Sequence, residues 1–150
     1  MKHKFATTLA LITAATLTLG ACSSKTATTE DVKARQDIMQ DWRASSDIMK
    51  GMLEKPDTFD AATFKEQADL IANSTSDAWT HFGNEANKGG SQDTVWTDAE
   101  GFKAQAEQFN VAVSELSAAA ASATSVEDVQ AAFGKVGESC GSCHKAYKQK

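Results

Sequence analysis

Residues 125–148 read SVEDVQAAFGKVGESCGSCHKAYK, and this stretch decides how the chain folds. Its apolar positions Val129, Phe133, Val136, Cys140, Cys143 and Tyr147 recur at steps of three and four, which is the repeat of one helical face. Within it, Cys140-Gly141-Ser142-Cys143-His144 forms C-x-x-C-H, the pattern by which a c-type haem is held to protein. Each thiol can add to one vinyl group of the porphyrin, and the imidazole beside the second cysteine is placed to reach the iron. Spacing of i, i+3 and i+4 puts all three groups on one side of a helix, in phase with its apolar stripe. A zinc site needs about four ligands, whereas the other Cys and His residues are His3, Cys22 and His81, two of which fall in or beside a targeting segment. A thioredoxin-like motif would sit near a strand-helix pattern, and no such strand precedes this one. Cys140 and Cys143 are therefore the expected attachment points of one covalent haem c, and His144 its expected axial ligand.

Working back from this helix, three further stretches carry the same periodicity. Val32, Met39, Trp42, Met49 and Leu53, with Ile38 and Met52 beside them, predict a helix over 29–54, capped by Thr29 and favoured by Glu30 and Asp31 in its first turn. Pro56 cannot continue it. A second helix is predicted over 60–79 from Phe64, Ala68, Ile71, Thr75 and Ala78, with Gly83 closing it. Residues 83–96, with Gly89-Gly90 at their centre, form an irregular connection of a length that is usually functional. The third helix, over 97–121, carries Phe102, Ala106, Phe109, Val113, Leu116 and Ala120. The fourth is expected to open at Ser125 with Asp128 completing a capping box. Four helices with short first and last connections make an all-α, antiparallel four-helix bundle with the cofactor inside. A single proline and few aromatic residues agree with helices rather than sheet.

The chain of 150 residues has room for one such domain, at 29–150, and a leader. Residues 1–21 read as a secretory signal peptide, with Lys2 and Lys4 ahead of an apolar, threonine-rich run. Leu19-Gly20-Ala21-Cys22 is similar to the lipobox of bacterial lipoproteins, so Cys22 is the expected acylation site and 22–28 a polar tether. Ser23 gives no inner-membrane retention signal, which points to a periplasm-facing protein anchored through lipid to the outer membrane. The formal charge is −5, and loss of Lys2 and Lys4 with the leader makes it more negative. An acidic surface excludes nucleic acid as partner and steers toward basic or neutral redox partners.

An all-helical chain with C-x-x-C-H near its C-terminus and an Arg35-Gln36 pair in its first helix resembles the cytochrome c′ family. The resemblance extends through Met39, Val95-Trp96-Thr97-Asp98 leading to Gly101-Phe102, Ala132-Phe133 and Tyr147-Lys148. It implies that Arg35 and Gln36 lie near the haem propionates, that Met39 faces the distal side of the iron, and that Trp96 packs beside the group. Tyr147 and Lys148 follow the ligand on the proximal side. The family usually has arginine where Lys148 stands, and lysine keeps the charge but loses the planar fork. A homodimer through the first two helices is a further implication.

Two ligation states follow from Met39. If it packs without bonding, the iron is five-coordinate and high-spin, with an apolar site for NO or CO and electron transfer through an exposed haem edge. If its sulfur ligates, the protein is a low-spin His/Met electron carrier with Met39 as sixth ligand. The first reading is preferred. A haem enzyme would need a distal acid-base group; none is assigned, His81 is read as an ordinary histidine, and the chain is expected not to be an enzyme.

Overall fold

The computed structural model describes residues 29–150; the signal peptide, Cys22 and the tether expected before them lie outside the described residues. Helix α1 spans Glu30–Glu54, and the Thr29 hydroxyl accepts from the Val32 N–H at 3.3 Å, the bond expected of its cap. It stops where Lys55 leaves helical geometry, and Pro56 opens a single 3-10 turn, Pro56–Thr58. Helix α2 spans Ala61–Thr80, capped by Asp60, whose carboxylate accepts from the Thr63 N–H at 2.7 Å. A one-turn helix α3, Thr94–Thr97, precedes α4, Ala99–Ala120, and the motif-bearing α5 spans Glu127–Tyr147.

Four boundaries differ from the sequence expectation, each for a local reason. The third helix does not run unbroken from Thr97: Asp98, at φ −123° and ψ 53°, leaves helical geometry and turns its carboxylate onto the Gly101 N–H. Gly83 does not close α2 with a left-handed turn; the helix ends at Thr80, and among the described residues the positive-φ position is Gly89. Helix α5 begins at Glu127 rather than Ser125, because one oxygen of Asp128 accepts from the Thr124 and Ser125 N–H groups and holds them ahead of the helix. Those bonds keep the Asp128 carboxyl below its ordinary value. The connection between α2 and α4 is not structureless either, since it holds a 3-10 turn at Glu85–Asn87 as well as α3.

The result is an antiparallel bundle of four long helices in which α1 packs on α2, α2 on α4 and α4 on α5. Phe64, Met49, Ile71, Leu116, Val113 and Val129 are the largest fully buried side chains. Around them Trp42 stacks on Phe109 at 4.7 Å between ring centroids, and Trp79 meets both edge-on. Both indoles keep a partner for their N–H, Trp42 with the Ser74 hydroxyl at 2.7 Å and Trp79 with the Asn110 side-chain oxygen at 2.9 Å. The fourth side of the bundle is looser. Helices α1 and α5 approach one another less closely than the other neighbouring pairs, although side chains of both rest on the common core.

Gly89 marks where the crossover meets α1. Its φ is +55°, and a Cβ there would stand 2.7 Å from Val32 Cγ1 and 3.2 Å from the Arg35 guanidinium. Gly89→Ala should therefore lose about 1–2 kcal/mol from the left-handed backbone alone, before any cost of moving α1. A urea midpoint lowered at unchanged slope would report this, and an unchanged midpoint would show that the loop adapts.

Candidate functional site

The three chemical groups of the motif sit in the last two turns of α5. Cys140 and Cys143 are both free and half-buried, and burial pushes each thiol above its ordinary value, so both carry their proton at neutral pH. His144, exposed at its edge yet partly desolvated by its neighbours, is pushed the other way, first by that desolvation and then by the charge of Lys148, which favours the neutral imidazole with a lone pair to donate. Among the described residues no three His, Cys, Asp or Glu side chains converge as a metal cluster requires. The donor set thus suits a group that brings its own ring nitrogens to the iron and needs one axial imidazole and two thiols from the protein.

The opposite wall belongs to α1. Met39 and Cys140 both lean, partly buried, on the common core, Met39 from α1 and Cys140 from α5. Gln36 is exposed beside them. Arg35 is only 5% exposed, and its partners are protein. It donates to the carbonyls of His81 at 2.8 Å, Asn87 at 2.6 Å and Lys88 at 3.0 Å, and its guanidinium carbon lies 4.7 Å from the Phe82 ring centre. Three of its five N–H donors are thereby spent on the crossover. Asp31, one turn earlier, lies 3.2 Å from His81 Nδ1 and accepts from Asn87 Nδ2 at 2.8 Å. The His81 Nε2 faces Asp77 at 3.7 Å, so both ring nitrogens meet carboxylates.

The same crossover is bonded to the end of α5. Gln92 N donates to the Tyr147 carbonyl and Gln149 N to the Gly90 carbonyl, each at 2.9 Å. Thr94 Oγ1 donates to the Ala146 carbonyl and Gln92 Nε2 to that of Lys148, each at 2.8 Å. Tyr147 is buried and donates its hydroxyl to Asp98 Oδ2 at 2.9 Å, while the half-buried Trp96 donates to the Phe82 carbonyl at 2.8 Å. Residues 81–98 thus form a strap between α1 and α5. The Lys148 side chain is exposed. An open groove of about 750 Å³ between α4 and α5, bordered by Val111, Lys135, Ser139 and Ser142, lies apart from these residues and none of them lines it.

Sequence reading identified Arg35 but not its engagement with the strap, because that depends on loop carbonyls some fifty residues away whose direction no side-chain pattern encodes. Asp31, Asn87 and Asp98 were missed as members of the same assembly. The only signal for them was the length of the connection and its paired glycines.

The sequence profile of the family described as cytochrome C′ matches residues 30–148. The chain is 33% identical over 119 residues to the cytochrome c′ of Alcaligenes xylosoxydans xylosoxydans, a match covering 79% of this chain and 93% of that protein. It is 36% identical over 95 residues to the cytochrome c′ of Rubrivivax gelatinosus, covering 61% and 73%. Among solved structures, the nitric oxide complex of a variant of cytochrome c prime from Alcaligenes xylosoxidans superposes with a TM-score of 0.75 at 31% identity, over 80% of this chain and 94% of that one. The crystal structure of cytochrome c′ from Rubrivivax gelatinosus gives a TM-score of 0.74 at 30% identity, over 79% and 94%.

Arg35→Lys should lower stability by roughly 1–3 kcal/mol, because an ammonium cannot satisfy three carbonyls in the plane of a fork and leaves buried acceptors unpaired. Urea unfolding measures this; limited proteolysis should cut first within the strap. Asp31 tests the same joint by pH. Bonds from His81 and then Asn87 hold its carboxyl below the ordinary value. Its contribution is complete above the unfolded value of about 3.9 and disappears as pH falls through the depressed folded value. Asp31→Asn should flatten that acid limb of the stability curve, and an unaltered limb would remove Asp31 from the strap's support.

Proposed function

Because this chain belongs to the cytochrome c′ family, we propose that it is a periplasm-facing haem c protein whose iron is five-coordinate and binds NO or CO. Members of this family carry one covalent haem c. When bound, that group supplies an iron with an open axial position and a one-electron couple. The chain's own residues do the rest. Cys140 and Cys143 would hold that group through two thioether bonds, each made by adding a thiol S–H across one vinyl group. His144 would offer its imidazole to the iron. Met39, from α1, would keep the other side of the group apolar and limit access by its bulk; an unbranched thioether adapts its shape to a small ligand at little cost.

The observation that carries this reading is the placement of thiols and imidazole on α5 and Met39 on α1, the two long helices joined through the strap and the shared core. An apolar distal side without a hydrogen-bond donor favours NO and CO over O2. The nitric oxide complex among the similar structures supports the same ligand class. Arg35, Gln36 and Trp96 belong to the propionate side in this proposal, with Arg35 reaching a propionate through the donors it does not spend on the strap. Tyr147 and Lys148 lie on the proximal side. We assign 1–21 to a signal peptide, Cys22 to lipidation, 22–28 to a tether and 29–150 to the bundle. Exposed Ile48 and Leu70, on α1 and α2, support a homodimer through those helices. One-electron exchange with a redox partner completes the proposal, and the acidic surface favours a basic or neutral one.

The absorption spectrum of the reduced holoprotein, recorded before and after CO, tests this. A broad high-spin Soret band that sharpens and shifts with CO is expected. Sharp low-spin bands indifferent to CO would instead make Met39 the sixth ligand and leave electron transfer as the function.

A further inference from the structure

We propose that Tyr147 and Asp98 form a proton-coupled redox pair, an internal electron source for strong one-electron oxidants that reach the protein surface. The proposal goes beyond gas binding and does not depend on it. Tyr147 is the only tyrosine in the chain. It is 7% exposed, yet its hydroxyl is bonded to a carboxylate at 2.9 Å rather than to backbone. A phenol loses an electron far more readily when its proton has somewhere to go in the same step, and a carboxylate at hydrogen-bond distance is that place.

Asp98 is held for this role. Its Oδ1 accepts from the Gly101 N–H at 3.3 Å, and Oδ2 faces the phenol. The carboxylate lies so close to Gly101 that a Cβ there would stand 2.2 Å from Oδ2. Glycine at this position is what admits the acid to its place over the start of α4.

From the phenol a continuous line of rings leads into the bundle. Tyr147 meets Phe102 at 5.3 Å, Phe102 meets Trp79 at 6.2 Å, and Trp79 meets Trp42 at 5.6 Å between centroids. Phenylalanine is too hard to oxidise to hold the charge, so Phe102 serves as the bridge between the tyrosine and the half-buried Trp79. An oxidant of the class of nitrogen dioxide, which arises wherever NO meets O2, takes one electron from Trp79 and becomes nitrite. Tyr147 then returns an electron to Trp79. In that step its O–H bond breaks, the proton forms an O–H bond on Asp98, and a neutral tyrosyl radical remains. Reduction of that radical by any one-electron donor, with return of the proton from Asp98, restores the starting state.

The test uses ferric holoprotein with a photogenerated tris(bipyridine)ruthenium(III) oxidant, freeze-trapped and read by electron paramagnetic resonance. Asp98→Asn is the informative variant, since asparagine keeps the cap through its one carbonyl oxygen and can donate its amide N–H to the phenol oxygen, but takes up no proton. The wild type should give a tyrosyl signal; Asp98→Asn and Tyr147→Phe should both lose it and show a tryptophanyl signal instead. No tyrosyl signal in the wild type, or an undiminished one in Asp98→Asn, overturns the proposal. A thermal melt of Asp98→Asn matching the wild type shows that loss of the signal is not loss of the fold.

Discussion

A single buried guanidinium holds the functional end of this molecule together. Arg35 leaves solvent almost completely, and a charge so placed is tolerable only where its donors are met. Three carbonyls of the crossover meet them, and the face of Phe82 adds a cation-π contact. The dependence runs both ways. Without Arg35 the carbonyls of His81, Asn87 and Lys88 would lose their partner, and without the loop the charge would be stranded. Gly89 exists in this arrangement because the chain passes too close to Val32 and the guanidinium for any side chain.

The consequence reaches across the bundle. A four-helix bundle usually closes by packing each helix on two neighbours, which buries apolar surface all round. Here the looser side is bridged by the strap. Its carbonyls grip α1 through Arg35, while its backbone and side chains bond the last turn of α5 at Ala146, Tyr147 and Lys148. Hydrogen bonds are directional where hydrophobic contact is not. A strap made of them fixes how the end of one helix stands relative to another with little apolar burial of its own.

Much of this was legible in the sequence because helices write themselves in a period of 3.6. The cap at Thr29, the stop before Pro56, the stripe from Phe102 to Ala120 and the phase of Cys140 and Cys143 with the apolar face of α5 all follow from local pattern, and the structure bears each of them out. What stayed hidden depends on contacts between distant segments. Asp98 breaks a helix that periodicity would continue, because its carboxylate is pulled toward Gly101 and Tyr147. Arg35 reads as a surface or ligand-facing charge until the loop that covers it is in place. Gly83 and Gly89 look equivalent as letters, but Gly89 alone of the two has a positive φ.

The strap also determines what a thioether-linked group in this bundle would experience. Both covalent bonds and the axial imidazole come from α5, so that helix alone would fix the group's position. Met39, the residue proposed for the distal side, comes from α1, which meets α5 through the crossover and the shared core. The placement of Met39 relative to the motif then depends on the strap and the shared core, which lie outside the attachment motif itself. How α1 stands relative to the end of α5 therefore rests on directional bonds from a loop between residues 81 and 98 as well as on the shared core, and local helix periodicity encodes neither.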